Sequence, residues 1–210
     1  MAAPSDFPDA VNDQDALRHC YGTPGELAVK KQLAYLDRHC RRFIELSPFV
    51  VIGSQGADGL GDVSPRGDAP GFVRVLDDVT LAIPDRPGNN RIDTLSNLVD
   101  NPGIGLLFLI PGFEETLRVN GYARTVMDAD LLATMTAQSR PPRSALVVSV
   151  KEAYLQCSKA LVRSRLWAAE SLTDRRTMPT LGQIIADQVA GLDAASAEER
   201  IQDSIKSRLY

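Results

Sequence analysis

Residues 62–91 decide the fold of this chain, and they read DVSPRGDAPGFVRVLDDVTLAIPDRPGNNR. Their apolar residues are too few and too interrupted to build a core, and they form two short runs at 71–76 and 79–84. Asp77 and Asp78 separate these runs, while arginine, asparagine, glycine and proline fill both flanks, as is typical of tight turns. The pattern predicts two short strands between two polar loops.

The first polar loop reads SPRGD at residues 64–68. The guanidinium of Arg66 is a planar fork of donors that suits a phosphate or a carbonyl oxygen. Because glycine has no side chain, Gly67 allows backbone amides to approach a flat or anionic ligand. Asp68 is expected either to orient Arg66 or to serve as a turn residue. A polar hairpin loop without a ligand is the alternative interpretation.

The second polar loop reads DRPGNNR at residues 85–91 and lies at the predicted start of a helix over 89–101. Backbone N–H groups at the start of a helix attract phosphate, and Arg86 and Arg91 add positive charge. The loop is therefore a candidate phosphate site. An asparagine N-cap with surface arginines is the alternative interpretation.

Hydrophobic patterning predicts the elements around this stretch. Residues 116–126 alternate apolar and polar side chains, as a strand with one buried face does, whereas 104–110 (IGLLFLI) has the pattern of a strand buried on both faces. Residues 53–61 are rich in glycine but precede a polar motif rather than a helix, which favours a turn over a dinucleotide-binding loop. Further strands are predicted at 49–53 and 144–155, and helices at 26–46, 129–138 and from 179 onward. Six strands at hairpin spacing favour an antiparallel barrel over a doubly wound sheet.

Composition and charge exclude several classes of protein. With 44% apolar residues, 24% charged residues and a net charge of −4, the chain has the balance of a globular protein and lacks the basic charge of a general nucleic-acid binder. No apolar run approaches the roughly 18 residues that cross a bilayer. The acidic residues 1–15 lack the pattern of a secretory signal, so we expect a cytoplasmic protein with no nucleic-acid or membrane partner.

Cysteine and histidine are scarce in this chain. The three cysteines lack CxxC spacing, which favours reduced thiols over disulfides. His19 and His39 each precede a cysteine, but no further ligands accompany them, so no metal site is expected. Both histidines also lie outside the two polar loops, which leaves acid–base catalysis without an obvious group and the catalytic residues unassigned.

A third candidate segment reads KALVRSRLW at residues 159–167. Lys159, Arg165 and Trp167 in this segment form either a basic and aromatic patch for a planar, anionic ligand or a solvated helix face with one buried tryptophan. Composition alone leaves both interpretations open.

In combination, these segments resemble the pyridoxamine 5'-phosphate oxidase-like family of FMN-binding proteins. The resemblance covers about residues 25–170 and depends on the order of seven motifs, none of which is specific alone. They are SPFVVIGS at 47–54, GDVSPRGD at 61–68, PGFV at 70–73, IPDRPGNNR at 83–91, LLFLIPG at 106–112, ETLRVNGYA at 115–123 and KALVRSRLW at 159–167.

The resemblance implies a mainly β fold with short helices, a six-stranded antiparallel split β-barrel of Greek-key type. It also implies a homodimer with FMN at the subunit interface. The expected domains are an N-terminal arm at 1–24, an FMN-binding split-barrel domain at 25–170 and a C-terminal helical extension at 171–210.

The resemblance assigns the cofactor-binding residues to three groups. One group lies beside the flavin and ribityl chain, a second holds the phosphate, and a third approaches the isoalloxazine from the partner chain. These groups are Ser64, Arg66 and Gly67; then Arg86, Asn89, Asn90 and Arg91; and then Lys159, Arg165 and Trp167, with Arg118 as a weaker candidate.

Two departures from the family pattern shape the expected function. Gln156 stands where a histidine is expected, and residues 168–210 contain no arginine–histidine substrate motif, so specific vitamin B6 oxidation is not expected. The first hypothesis is an FMN-dependent oxidoreductase with an unassigned small-molecule substrate and electron donor. The alternatives are a non-catalytic flavin-binding or storage protein and a deazaflavin-binding relative, while the missing histidine disfavours haem.

Overall fold

The computed structural model describes residues 10–210, which divide into two compact units at residue 32. The first unit contains helix α1 (Gln14–Tyr21) and helix α2 (Glu26–Lys30), neither of which has a buried residue. Asp13 begins α1 by accepting the Ala16 N–H at 2.7 Å. Residues 1–9 of the expected arm lie outside the described residues, and part of the remainder is this helix, which the sequence analysis did not predict.

The second unit, residues 33–210, contains the sheet and the other helices. Its strands are β1 (Phe49–Gln55), β2 (Gly61–Gly67), β3 (Arg74–Val75), β4 (Thr80–Pro84), β5 (Gly103–Leu109), β6 (Thr116–Val126) and β7 (Ala145–Gln156). Its helices are α3 (Arg38–Leu46), α4 (Asp93–Asp100), α5 (Ala129–Ala133), α6 (Lys159–Ser164), α7 (Leu181–Gln188) and α8 (Ala194–Ser207).

The seven strands form one antiparallel sheet in the order β2-β1-β5-β6-β7-β4-β3. The predicted fold class, an antiparallel split β-barrel with short helices, is confirmed. The count of six strands is wrong by one, because residues 64–67 of the SPRGD motif lie on strand β2. Pro65 has no N–H to donate, and β2 accommodates it because, within the described part of the chain, this strand pairs only with β1 at one end of the sheet.

One face of the sheet packs into the main core. In β5, Ile104, Leu106 and Phe108 are buried, whereas the residues between them are half-buried. The prediction of a strand buried on both faces is therefore wrong for this protomer. The apolar run nevertheless forms a strand, because its alternate residues reach the core shared with β1 and β6.

The single helix predicted over 26–46 is two separate helices. Between them, Leu33 bridges to Ala153 of β7, and the Leu36 N–H donates to the Asp78 carbonyl at 2.7 Å. The side chain of Asp37 then accepts the first N–H groups of α3, which restarts the helix at Arg38. Tertiary pairing with the sheet therefore overrides the helical pattern at this point.

Residues 171–210 belong to the same compact unit as the barrel. The division into an arm, a barrel and a helical extension stays a prediction. No helix within residues 10–210 is both long and apolar enough to pass through a membrane. In the same part of the chain, no three potential metal ligands come together.

Candidate functional site

A cavity of about 590 Å³ lies where four segments of the second unit meet, and we call it the arginine pocket. Its volume falls within the range of small-molecule sites. The segments are the end of β2, the loop from β4 into α4, the loop before β7, and residues 207–210 after α8. The arginines that line the pocket are Arg66, Arg86, Arg140, Arg143 and Arg208.

An ion pair between Arg86 and Asp68 joins the two polar loops. Arg86 Nε donates to Asp68 Oδ2 at 2.6 Å, and the two side chains are only 15% and 5% exposed. Burial acts to raise the pKa of Asp68, but hydrogen bonds from Tyr210, the Ala69 N–H and Arg86 outweigh it and lower this pKa below its ordinary value. The expectation that Asp68 orients Arg66 is therefore wrong, since its partner is the arginine of the other loop.

Arg66 is oriented by its own strand instead. Its Nη1 atom donates to Ser64 Oγ at 2.6 Å and to the Pro65 carbonyl at 3.2 Å. Because side chains two residues apart share one face of a strand, Ser64 is well placed to hold Arg66. Ser64 thus acts through Arg66, and it does not line the arginine pocket itself.

The loop that leads into α4 is strained. Asn90 and Ile92 have φ angles of 60° and 56°, in the left-handed region. Asparagine tolerates this conformation, but for a β-branched residue such as Ile92 it is an outlier of the kind that costs about 1–3 kcal/mol. Ile92 is also the N-cap of α4 and supplies no capping side chain. The first N–H groups of this helix therefore lack the side-chain acceptor that usually satisfies them.

Packing and hydrogen bonds fix α4 beside strands β1 and β2. Thr94 and Leu98 on this helix are buried. Asn97 Nδ2 donates to Ser54 Oγ at 3.0 Å, and its oxygen lies close to the turn that joins β1 to β2. The start of α4 is thereby held at the same pocket as Arg66.

The arginine pocket has an excess of positive charge. Five arginines line it, against two nearby side-chain carboxylates, Asp85 and the Asp68 that pairs with Arg86. Within the described chain, the side chains of Arg143 and Arg208 make no hydrogen bond or ion pair. Burial raises the pKa of Asp85, and the charges of Arg66 and Arg143 act in the opposite direction. An anion is the ligand that this arrangement favours.

Several pocket residues were missed by the sequence analysis. Arg140 and Arg143 flank two prolines in the sequence RPPR, a rigid basic turn that could have been recognised. Arg208 and Tyr210 reach the pocket from a distant part of the chain, for which the sequence carries no local signal.

The structure brings five of the predicted cofactor-binding residues together. They line the arginine pocket, and they are Arg66, Gly67, Arg86, Asn89 and Asn90. Arg91 does not line it, because its side chain is 73% exposed and its Nε donates to Asp93 Oδ2 at 2.8 Å. Asn89 Oδ1 accepts the Arg91 N–H at 3.0 Å and so stabilises the turn.

The remaining predicted residues lie outside the arginine pocket of their own protomer. Arg118 Nη1 donates to the Tyr154 hydroxyl at 2.7 Å across the β6–β7 pair. Trp167 is 39% exposed, and its Nε1 donates to the Phe113 carbonyl at 2.7 Å. Lys159 and Arg165 are exposed on and just after α6, where Arg165 lies 3.2 Å from Glu170.

Residues 36–157 match the sequence model of the family described as pyridoxamine 5'-phosphate oxidase, and the match spans more than half of the chain. The chain belongs to this family. The resemblance drawn from the seven motifs is thereby confirmed. No curated protein sequence matches the chain.

Solved structures similar to this family member include HupZ of Group A Streptococcus, with 15% identity, 57% of this chain and 92% of that chain covered, and a TM-score of 0.47. An FMN-binding protein from Syntrophomonas wolfei has 10% identity, with 68% and 96% covered and a TM-score of 0.44. An FAD binding protein from Mycobacterium smegmatis has 16% identity, with 59% and 97% covered and a TM-score of 0.41.

Proposed function

We propose that this member of the pyridoxamine 5'-phosphate oxidase family binds FMN in the arginine pocket and acts as an oxidoreductase on a small molecule. The observation that carries the proposal is the excess of arginine around an uncapped helix start in a ligand-sized cavity. FMN is a planar ring with a phosphate, so it needs both an anion site and a flat surface.

The residues of the pocket fit the two ends of this cofactor. Arg86 and the uncapped N–H groups of α4 would hold the phosphate, with Asn90 and Ile92 forming the left-handed turn before the helix. Arg66 and Gly67 would lie along the ring or ribityl chain, and the apolar side chain of Phe72 adds a wall. Strain at Ile92 supports a binding role, because it persists only where the surrounding structure holds it in place.

The second half of the proposed site comes from a partner chain. Lys159, Arg165 and Trp167 lie outside the arginine pocket of their own protomer, which supports a homodimer in which they approach the ring from the other subunit. The resemblance drawn from the seven motifs implies the same assembly. The cytoplasmic location stays a prediction.

FMN supplies hydride transfer when it is bound, a reaction that no side chain provides. The arginine pocket contributes binding and orientation, because Arg66 is held by Ser64 and Arg86 by Asp68. Asp85 lies at the pocket, where burial raises its pKa above the ordinary value of a carboxyl group.

Titration with FMN and with riboflavin tests the cofactor and its phosphate separately. We expect wild-type protein to bind FMN at least tenfold more tightly than riboflavin, because a charge-assisted hydrogen bond contributes about 1.5–3 kcal/mol. Arg66→Ala and Arg143→Ala should weaken FMN binding by about 10-fold or more on the same basis. Arg176→Ala is the matched control, since that arginine is exposed and, among residues 10–210, pairs only with Asp174.

Equal affinities for the two flavins, or no FMN binding by the wild-type protein, would overturn the assignment of the pocket. Anaerobic mixing with NADH or NADPH then tests catalysis through the loss of flavin absorbance. Reduction followed by reoxidation with an acceptor supports the oxidoreductase. Tight FMN binding without reduction by any donor would instead indicate a flavin storage protein.

A further inference from the structure

Residues 207–210 form one wall of the arginine pocket through three contacts made by Tyr210. The Tyr210 hydroxyl donates to Asp68 Oδ1 at 2.8 Å. Its main-chain oxygen accepts from Arg140 Nη1 at 2.6 Å. Its ring centroid lies 5.9 Å from the Arg86 guanidinium carbon, within range of a cation–π interaction. One residue thus contacts three of the other segments that meet at the pocket.

We propose that Tyr210 is a positioning residue of the arginine pocket, and that residues 207–210 are a strap whose release limits the escape of the bound ligand. Tyr210 acts on the ligand through Asp68 and Arg86. The proposal rests on the proposed function only in taking FMN as that ligand.

The hydrogen bonds around Asp68 explain how Tyr210 positions Arg86. One carboxylate oxygen, Oδ2, accepts from Arg86 Nε, while Oδ1 accepts from the Tyr210 hydroxyl and from the Ala69 N–H at 2.7 Å. The two donors on Oδ1 fix the rotation of the carboxylate, and the carboxylate in turn fixes the plane of the Arg86 guanidinium. Loss of the hydroxyl leaves a nearly buried carboxylate short of one donor, which loosens its hold on Arg86.

The strap is a wall of the pocket, not a plug. The cavity of about 590 Å³ exists with Tyr210 in place and is lined by this residue together with Ser207 and Arg208. A ligand of FMN size can therefore be enclosed while the strap stays attached. Arg208 on the strap adds a further positive charge on the ligand side. Detachment of the strap would therefore remove both this charge and one wall of the pocket.

Dissociation of FMN from three variants tests the effect on the ligand. Tyr210→Phe keeps the ring and loses the hydroxyl, and we expect FMN to dissociate from it about 3- to 10-fold faster than from wild type. Tyr210→Ala loses both the ring and the hydroxyl, so FMN should dissociate from it more than about 10-fold faster, with a smaller change in the association rate. Leu209→Ala is the matched control, because Leu209 is exposed and does not line the pocket. Wild-type rates in Tyr210→Ala would overturn the proposal.

Hydrogen–deuterium exchange without FMN tests the strap itself. The Arg208 N–H donates to the Ser204 carbonyl at 3.0 Å, so it reports whether the end of α8 is held. Tyr210→Phe and Asp68→Asn should both accelerate exchange of peptides that cover 204–210, and Leu209→Ala should not. Unchanged exchange in both variants would refute the strap. If wild-type protein bound no FMN, the proposed function would fail while this measurement would still decide whether the strap exists.

Discussion

At the scale of single residues, Asp68 connects segments that are far apart in the chain. Its carboxylate receives hydrogen bonds from Arg86, 18 positions later, and from Tyr210, 142 positions later. Because its pKa is lower in the folded chain than its ordinary value of 3.8, the ionised carboxylate stabilises the folded state. This stabilisation is fully present above pH 3.8 and is lost as the pH falls through the lower folded pKa.

Asp68→Asn should therefore destabilise the protein in a pH-dependent way. Removing one charge of a nearly buried ion pair costs about 3 kcal/mol at pH 7 by the usual range for such pairs. The difference between wild type and variant should shrink as the pH falls below about 4, because wild-type Asp68 then becomes neutral as well. Urea unfolding between pH 3 and pH 7 measures it, with Asp100→Asn at the exposed end of α4 as the control. A constant difference across this range would contradict the ion pair.

Gly121 is required by the backbone of the sheet. It lies at the irregularity between β6 and β7, where a Cβ would overlap the Ser149 carbonyl and would lie 3.2 Å from Val150 Cα. Gly121→Ala should lower the free energy of unfolding by about 1–3 kcal/mol or more, as overpacking does. Gly61→Ala, whose Cβ would meet no atom within 4 Å, should change it by less than about 1 kcal/mol. Equal unfolding midpoints for the two variants would show that the backbone of the β6–β7 pair shifts at this point and makes room for the Cβ.

At the scale of elements, hydrophobic patterning predicted the strands whose one-sided burial it directly reflects. Strand β6 occupies 116–126 as predicted, since its alternation reflects one buried face. Strand β2 was taken for a loop because its proline and polar residues are typical of turns, and only its position at the end of the sheet makes them acceptable.

The candidate site was predictable only in part, for a similar physical reason. Both polar loops reach the arginine pocket, because their arginines and glycines carry a local signal for anion binding. The link between Asp68 and Tyr210 carries no such signal, since it depends on where α8 ends in space. Long-range contacts of this kind follow from packing and not from periodicity.

The packing of α7 on α8 controls where that end lies. Gly182 on α7 is buried, and its N–H donates to Glu198 Oε2 at 3.1 Å. A Cβ on Gly182 would lie 2.8 Å from the Ala194 carbonyl and from the Glu198 backbone nitrogen, so Gly182→Ala must push the two helices apart.

Gly182→Ala should therefore loosen residues 204–210 while the barrel stays folded. We expect faster hydrogen exchange in these residues and faster FMN dissociation, with unchanged exchange in β5 and β6. Gly61→Ala again serves as the control. Wild-type exchange over 204–210 would mean that the strap does not depend on the α7–α8 contact, and exchange that rises throughout the sheet would mean that the extension stabilises the whole second unit.

At the scale of the whole molecule, the proposed site is divided between two chains. Arg66 and Arg86 line the arginine pocket, whereas Lys159 and Arg165 lie outside it in the same protomer. If a homodimer joins these groups, one chain can carry a substitution in the pocket arginines while its partner carries substitutions at Lys159 and Arg165. Mixing two defective proteins then restores complete sites.

The test uses two variants, the single variant Arg66→Ala and the double variant Lys159→Ala/Arg165→Gly. We expect each of them to bind FMN at least 10-fold more weakly than wild type. Glycine is chosen for position 165 because Arg165 has a φ of 50°, which glycine adopts without strain. After subunit exchange in an equal mixture, half of the dimers are mixed and each has one intact site, so about a quarter of the sites should bind FMN with wild-type affinity. Fluorescence titration of the mixture measures this fraction. If both sets served one protomer's site, or if the chain were monomeric, the mixture would gain no tight sites, and the two-chain site would be wrong.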